Sequence, residues 1–359
     1  QGLPHPPRAL PGDINTPGGT GSRGCCIHGG ILGAGHNPAL AQAKPLRAAP
    51  AFHFRLCCIP TMNPVATPAA DLQATIEELW VYPVKSCAGI QLRESELTDT
   101  GLLYDRAWMV VDAEGEFVSQ RELPRMALIQ PSFKMGQLML RAPGMLSLHL
   151  GLDVAEGPLK VRVWDDAVDA CDMGDVAAQW FSDFLGPDAP AHLKRLRLAR
   201  FDPDVKRPCD SAWTGGREAT TQFADGFGLL VTSNASLADL NTRLVASGHA
   251  PVDMRRFRPN IVLGGVEAHD EDRLGALTIA TSDGTAGIEP VKPCGRCPIP
   301  NIDPATAISS PAVGDTLQTY RQDPRLDGAI TFGMNAIVIE GDGQVLRVGQ
   351  PVKADWRFD

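Results

Sequence analysis

From about residue 75 onward, apolar and polar positions alternate in short runs, the period of half-buried strands rather than of helices. Thr75-Ile-Glu-Glu-Leu-Trp-Val-Tyr predicts a first strand, closed by Pro83. Ile90 to Leu97 alternates strictly and predicts a second, followed by a turn at Asp99-Thr100-Gly101. Arg106 to Asp112 predicts an apolar strand, and Ala113-Glu-Gly-Glu116 a hairpin turn into Phe117-Val-Ser-Gln. Leu138 to Arg141, Leu146 to Leu150, Leu159 to Trp164 and residues 192–198 continue the pattern. So do Leu277 to Ala280, Ala336 to Glu340 and Val345 to Val348, with Gly341-Asp-Gly-Gln as a hairpin turn.

Two stretches change period. Asp175 to Leu185 puts Val176, Trp180, Phe181 and Phe184 on one face and stops at Gly186-Pro187. Asn234 to Ser247 places Leu237, Leu240 and Leu244 in helical phase. Pro203 to Gly228 is polar and Gly-rich, the mark of a long functional or mobile loop. Many short strands with few helices predict an α+β, mainly β fold. A smaller N-terminal β-barrel-like module over about residues 72–190 would lead into a barrel over 191–355.

Composition sets the first 61 residues apart. They hold nine Pro, ten Gly, five basic residues and one acid, without lasting periodicity. Such a segment buries too little apolar surface to offset chain entropy. Residues 1–71 are therefore read as a disordered or artefactual extension, with Met62 as the expected start. The 359 residues carry a net charge of −9, which argues against nucleic acid or an anionic membrane as partner. No window has the roughly 18–20 apolar residues of a membrane-spanning helix. Beyond the extension only five cysteines remain, Cys87, Cys171, Cys209, Cys294 and Cys297. An odd count at irregular spacing is no disulfide framework, so a cytoplasmic location is expected.

The chemistry concentrates in Lys292-Pro-Cys294-Gly295-Arg296-Cys297-Pro298. A Cys-x-x-Cys serves as half a zinc site, as a thiol–disulfide couple, or as one thiolate on a soft metal; incidental thiols on a loop are the plain alternative. A second Cys or His pair for zinc is missing, and Pro298 and Pro300 place the pair on a loop rather than at a helix start. Arg296 would lower a neighbouring thiol pKa and attract an anion. Lys85-Ser86 follows Tyr82-Pro83-Val84 at a strand end and suits a phosphate, although taken alone a solvated surface Lys is the commoner case. Arg255, Arg256 and Arg258 fall within four residues, with Asn260 beyond, a set suited to a polar ring plus phosphate or, alternatively, to a charged edge strand. Arg106 stands at a strand start beside Asp105.

Five ordered motifs, covering about residues 75–355, resemble the MOSC family, named for the C-terminal domain of molybdenum cofactor sulfurase. They are Tyr82-Pro-Val-Lys-Ser-Cys87, Asp105-Arg-Ala-Trp108, Gln120-Arg-Glu-Leu-Pro-Arg125, Phe257-Arg-Pro-Asn-Ile261 and Cys294-Gly-Arg-Cys-Pro-Ile-Pro-Asn-Ile-Asp-Pro304. The match is to the two-part branch that includes the mitochondrial amidoxime-reducing component and bacterial relatives. The resemblance implies a MOSC-type β-barrel and a molybdenum cofactor (Mo-molybdopterin). It implies that Cys297 ligates the metal, and that Lys85, Ser86, Arg106, Arg258 and Asn260 hold the pterin and its phosphate. Gly295, Arg296, Asp225 and Ser233 are further cofactor contacts it implies.

The activity implied is two-electron reduction of N-hydroxylated compounds such as hydroxylamino bases or amidoximes. The alternative is a cofactor or sulfur carrier without turnover. No Cys-x4-Cys-x2-Cys run for a [2Fe–2S] ferredoxin domain is present, and no pyridoxal-phosphate domain, so neither group is expected in this chain. Separate electron-transfer proteins of ferredoxin or flavoprotein reductase type are the partners this implies.

Overall fold

Residues 72–358 are described in the computed structural model; the expected extension over 1–71, with its start at Met62, lies outside them. Seven strands frame the site. They are β1 (Leu72–Val81), β2 (Leu229–Ser233), β3 (Ile261–Gly264), β4 (Leu274–Ala280), β5 (Thr285–Gly295), β6 (Ala329–Glu340) and β7 (Pro351–Trp356). Their order is β2-β3-β1-β7-β4-β5-β6, and β6 returns to β2 through Leu229↔Ala336 and Val231↔Met334. The sheet therefore closes into a barrel. The architecture is α+β and mainly β, as the alternating pattern predicts.

The barrel interior follows from the pleat. On β1 the buried positions are Ala74, Ile76, Leu79 and Val81. The change from even to odd numbers falls at a bulge between Ile76 and Glu78, where one extra residue shifts the facing set. These side chains pack with Leu263, Leu277, Ile288 and Val352. β2 and β3 run parallel, which requires a crossover; helix α2 (Asn234–Ala246) supplies it. Ser233 Oγ caps α2 by accepting from Ser236 N at 3.1 Å.

The N-terminal half adds a four-stranded sheet in the order Trp108–Val111, Arg197–Phe201, Asp166–Asp172, Gly157–Val163. Helix α1 (Gly174–Leu185) presses Trp180, Phe181 and Phe184 into a core with Trp108 and Met126. Full burial of such a side chain stabilises by roughly 1.5–3 kcal/mol.

Three local expectations are corrected. The last third contains a helix, α3 (Ala312–Gln318), where only strands were predicted. Its seven residues are too few to print a helical period, and it is stabilised by docking Val313 and Leu317 against Leu240 and Leu244 of α2. Gly341 to Gln344 is not a hairpin turn. β6 is already paired to β2 and β5, so Val345–Arg347 turns away and pairs with Glu94–Glu96. Residues 192–198 begin as a 3-10 turn, Ala191–Leu193, and become strand only over Arg197–Phe201.

Candidate functional site

β5 carries two prolines, Pro290 and Pro293, that have no N–H to give to the ladder. The β5–β6 register slips at both, between Pro290 and Lys292 and again between Pro293 and Gly295. The strand thus ends in a bulge that carries Cys294 and Gly295, and Arg296 and Cys297 follow in the turn. The expectation of a pair wholly on a loop is corrected to this extent. Beside that bulge opens a cleft of about 420 Å³. Among its lining residues are Lys85, Ser86, Arg106, Asp225, Arg258, Asn260, Gly295, Arg296 and Cys297, nine of the ten positions singled out in the sequence. The tenth, Ser233, is fully buried and instead serves α2: its hydroxyl also donates to Glu271 Oε2 at 2.9 Å.

Seven basic side chains line the cleft (Lys85, Arg106, Arg121, Arg256, Arg258, Lys292 and Arg296) against one acid, Asp225. In a chain of net −9 this is a local inversion of charge. Lys85 is held by its N–H, which donates to Trp108 O at 2.7 Å. Its Nζ donates to Phe223 O at 2.8 Å and to Asp225 Oδ1 at 2.5 Å. Burial pulls the Lys85 pKa down, and Asp225 opposes that shift. Burial in the cleft is the largest single influence on Asp225 and works against its charge, although 69% of the side chain is exposed. Lys85, the Trp164 indole N–H and Arg121 outweigh it and hold the carboxyl well below its usual range.

Arg106 and Arg258 lie against the ring of the buried Tyr82, with Cζ 4.5 Å and 4.3 Å from its centroid. Arg106 pairs with Asp105 and donates to Asn260 Oδ1 and to Arg258 O, both at 3.0 Å. Arg258 Nη1 donates to Cys87 O at 2.6 Å, while its Nη2 is buried without a partner. Burial, with Arg106 alongside, pushes the Arg258 pKa down to about 10. Ser86, Arg106 and Arg258 all adopt positive φ, of 66°, 49° and 57°. Strained backbone of this kind gathers at binding and catalytic sites.

Asn260 and Arg296 hold the frame. Asn260 Oδ1 accepts from Arg106 and from Leu230 N, and Nδ2 donates to Trp80 O at 3.1 Å, so three bonds inside the protein fix its amide. Arg296 donates three times to backbone carbonyls, twice to Phe332 O and once to Phe257 O. The Cys294 thiol is pushed up by burial, and Arg296 opposes this without reversing it. Arg296 thus pulls on the neighbouring thiol in the expected direction, and burial of Cys294 outweighs it. Burial also pushes Cys87 up to about 12 and Cys209 up to about 11. Among the described residues no three His, Cys, Asp or Glu side chains converge as a metal-binding cluster.

Sequence reasoning passed over several residues that complete the cleft. Arg207, 6% exposed, donates to Gln222 O, Ala224 O and Asp225 O and so shapes the loop that carries Asp225. The sequence signals Arg207 only through the long polar loop from Pro203 to Gly228, whose pattern fits a functional or a mobile loop and points to no single residue. Arg121 sits in the Gln120–Arg125 motif, and Lys292 in the cysteine stretch; neither was assigned a role.

The barrel, the cleft shared by both halves and the cysteine bulge define a MOSC-type protein. The chain matches the MOSC N-terminal beta barrel domain over residues 73–188 and the MOSC domain over residues 218–353. It belongs to this family. Among its curated relatives is human mitochondrial amidoxime-reducing component 1, 34% identical over 77% of this chain and 82% of that protein. Rat mitochondrial amidoxime reducing component 2 is 35% identical over 77% of this chain and 82% of its own length. The bovine component 2 is 35% identical over 69% and 72%. At the level of the family, the chain is thus similar to amidoxime-reducing components.

Proposed function

We propose that the protein is a molybdenum-cofactor-dependent oxidoreductase that reduces N-hydroxylated compounds by two electrons. The observation that carries this reading is the single cleft in which seven basic side chains meet two cysteines and only one acid. The donor set fits the group. A phosphate-bearing polar ring needs cationic and N–H donors, and a soft metal needs a thiolate. The unpartnered Nη2 of Arg258 is a buried donor aimed at no protein acceptor, which a bound anion would satisfy.

Lys85, Ser86, Arg106 and Arg258 would hold the phosphate and pterin, and Cys297 the metal. Gly295, two residues before Cys297, would leave room for the group beside the backbone. When bound, the cofactor supplies a centre that exchanges two electrons. Asn260 and Arg296 act on it through others: Asn260 fixes the Arg106 guanidinium, and Arg296 ties the cysteine turn to Phe257 and Phe332. Asp225, held ionised, accepts hydrogen bonds rather than giving a proton. Reduction consumes two electrons and two protons, breaks the N–O bond, forms an N–H bond and releases the oxygen as water. The electrons would come from separate proteins of ferredoxin or flavoprotein reductase type.

Among the described residues no helix is long and apolar enough to cross a membrane. The test is turnover of an amidoxime or hydroxylamino base by the cofactor-loaded protein with a chemical electron donor. Product amidine or amine is expected. Retained molybdenum with no turnover of any such compound would contradict the enzyme and favour a carrier.

A further inference from the structure

The cleft opens beside a tryptophan that the cofactor chemistry leaves without a role. Strands Gly157–Val163 and Asp166–Asp172 pair with Asp166 opposite Val163, so Trp164 and Asp165 alone make the turn. Trp164 has φ 55°, at the first position of a two-residue hairpin turn, where glycine is favoured. A bulky residue there is strained. It is also 44% exposed, so core packing does not account for it.

Its side-chain partners belong to the cleft. The indole N–H donates to Asp225 Oδ1 at 3.2 Å. The Arg121 guanidinium lies 4.6 Å from its ring, and the Phe117 ring centroid lies 5.0 Å away, tilted by 59°. Asp225, Arg121 and Phe117 all line the cleft, and all three contact Trp164. An exposed indole fixed by a hydrogen bond and backed by a guanidinium is a flat π surface held at a set angle.

We propose that Trp164, backed by Arg121, is the specificity-determining wall of the substrate entrance, and that it selects N-hydroxylated compounds with a flat aromatic group over aliphatic ones. This rests on the reductase reading for turnover, but the wall itself can be read by binding alone. Aromatic stacking on an oriented ring, strengthened by a cation behind it, distinguishes aromatic from aliphatic ligands by about tenfold. Trp164 is tied to the protein through the turn, Asp225, Arg121 and Phe117, with no bond of its own to Lys85, Ser86, Arg106, Arg258 or Cys297, so its replacement is expected to leave the cofactor cradle in place.

The experiment compares benzamidoxime with acetamidoxime on cofactor-loaded wild type, Trp164→Phe, Trp164→Ala and Trp164→Gly. Both kcat/KM and calorimetric binding affinity are read, along with molybdenum content and Tm. In Trp164→Ala and Trp164→Gly the preference for benzamidoxime should fall about tenfold, mainly through KM, with molybdenum content unchanged. Trp164→Phe should keep most of it. Trp164→Gly should melt above Trp164→Ala, because glycine relieves the positive φ, while both lose selectivity alike. Stability and selectivity then part company, which a purely structural role does not allow. An unchanged preference in all variants, or loss of molybdenum with the indole, would overturn the proposal. If wild type turns over neither compound, the reductase reading fails. The calorimetric preference and its loss in Trp164→Ala would then still decide the wall.

Discussion

Asn260 is 1% exposed, and its amide ties together Arg106, Leu230 and Trp80. Asn260→Ala would leave Leu230 N, Trp80 O and one Arg106 donor without that partner, so a loss of about 2–3 kcal/mol is expected from urea unfolding of the apo-protein. A loss under half a kcal/mol would place the anchor elsewhere. The sequence predicts Asn260 as part of the site. Its three internal bonds were not legible there, because they join segments 30, 154 and 180 residues away.

The Lys85–Asp225 pair yields a pH test. The Asp225 carboxyl is depressed in the folded chain, so its contribution is complete above the ordinary carboxylate pKa of about 3.9 and fades as pH falls toward the folded value. Solvent screens the exposed carboxylate and limits the effect to about 1 kcal/mol. Asp225→Asn should therefore be less stable than wild type at neutral pH, and the gap in urea midpoint should shrink steadily below about pH 4. A gap that widens on acidification would reverse the assignment.

At the scale of elements, the turn that carries the cysteines depends on β6. Arg296 anchors to Phe332 O, and the next residue, Gly333, has φ 75°. A Cβ on Gly333 would stand 2.6 Å from Thr232 Cγ2 and 2.7 Å from Val231 O, on the strand that closes the barrel. Gly333→Ala is expected to cost about 2–4 kcal/mol in a denaturant titration and to loosen the Arg296 anchor with it. A neutral substitution would mean that β2 and β6 yield at closure.

Elements were legible where one period ran long enough. The two long helices follow from their apolar phase, except that Val176, expected on the buried face, is 73% exposed, and β1 follows its phase only up to the bulge between Ile76 and Glu78. The Pro290 and Pro293 bulges were not, because a proline in an apolar run equally marks a strand's end. The partner of Val345–Arg347 was not legible either: the Gly341–Gln344 turn is local, but whether β6 has a free edge depends on β2, about a hundred residues earlier.

At the scale of the molecule, the two matched regions supply one cleft. Lys85, Ser86, Arg106 and Arg121 come from within residues 73–188, and Asp225, Arg258 and the cysteine turn from within 218–353. The first strand of the N-terminal half is itself a barrel strand, paired to β3 and β7. The cleft therefore sits on a barrel in which the first and last strands of the described residues, β1 and β7, are paired. The motifs pointed to an anionic cofactor one by one; their meeting around a single cavity is a property of the closed barrel. The most direct test of that reading is molybdenum per chain in purified wild type, Cys297→Ala and Cys294→Ala. Loss of the metal in Cys297→Ala, with most of it kept in Cys294→Ala, is the expected result, and equal retention in both would contradict the assignment of Cys297 as its ligand.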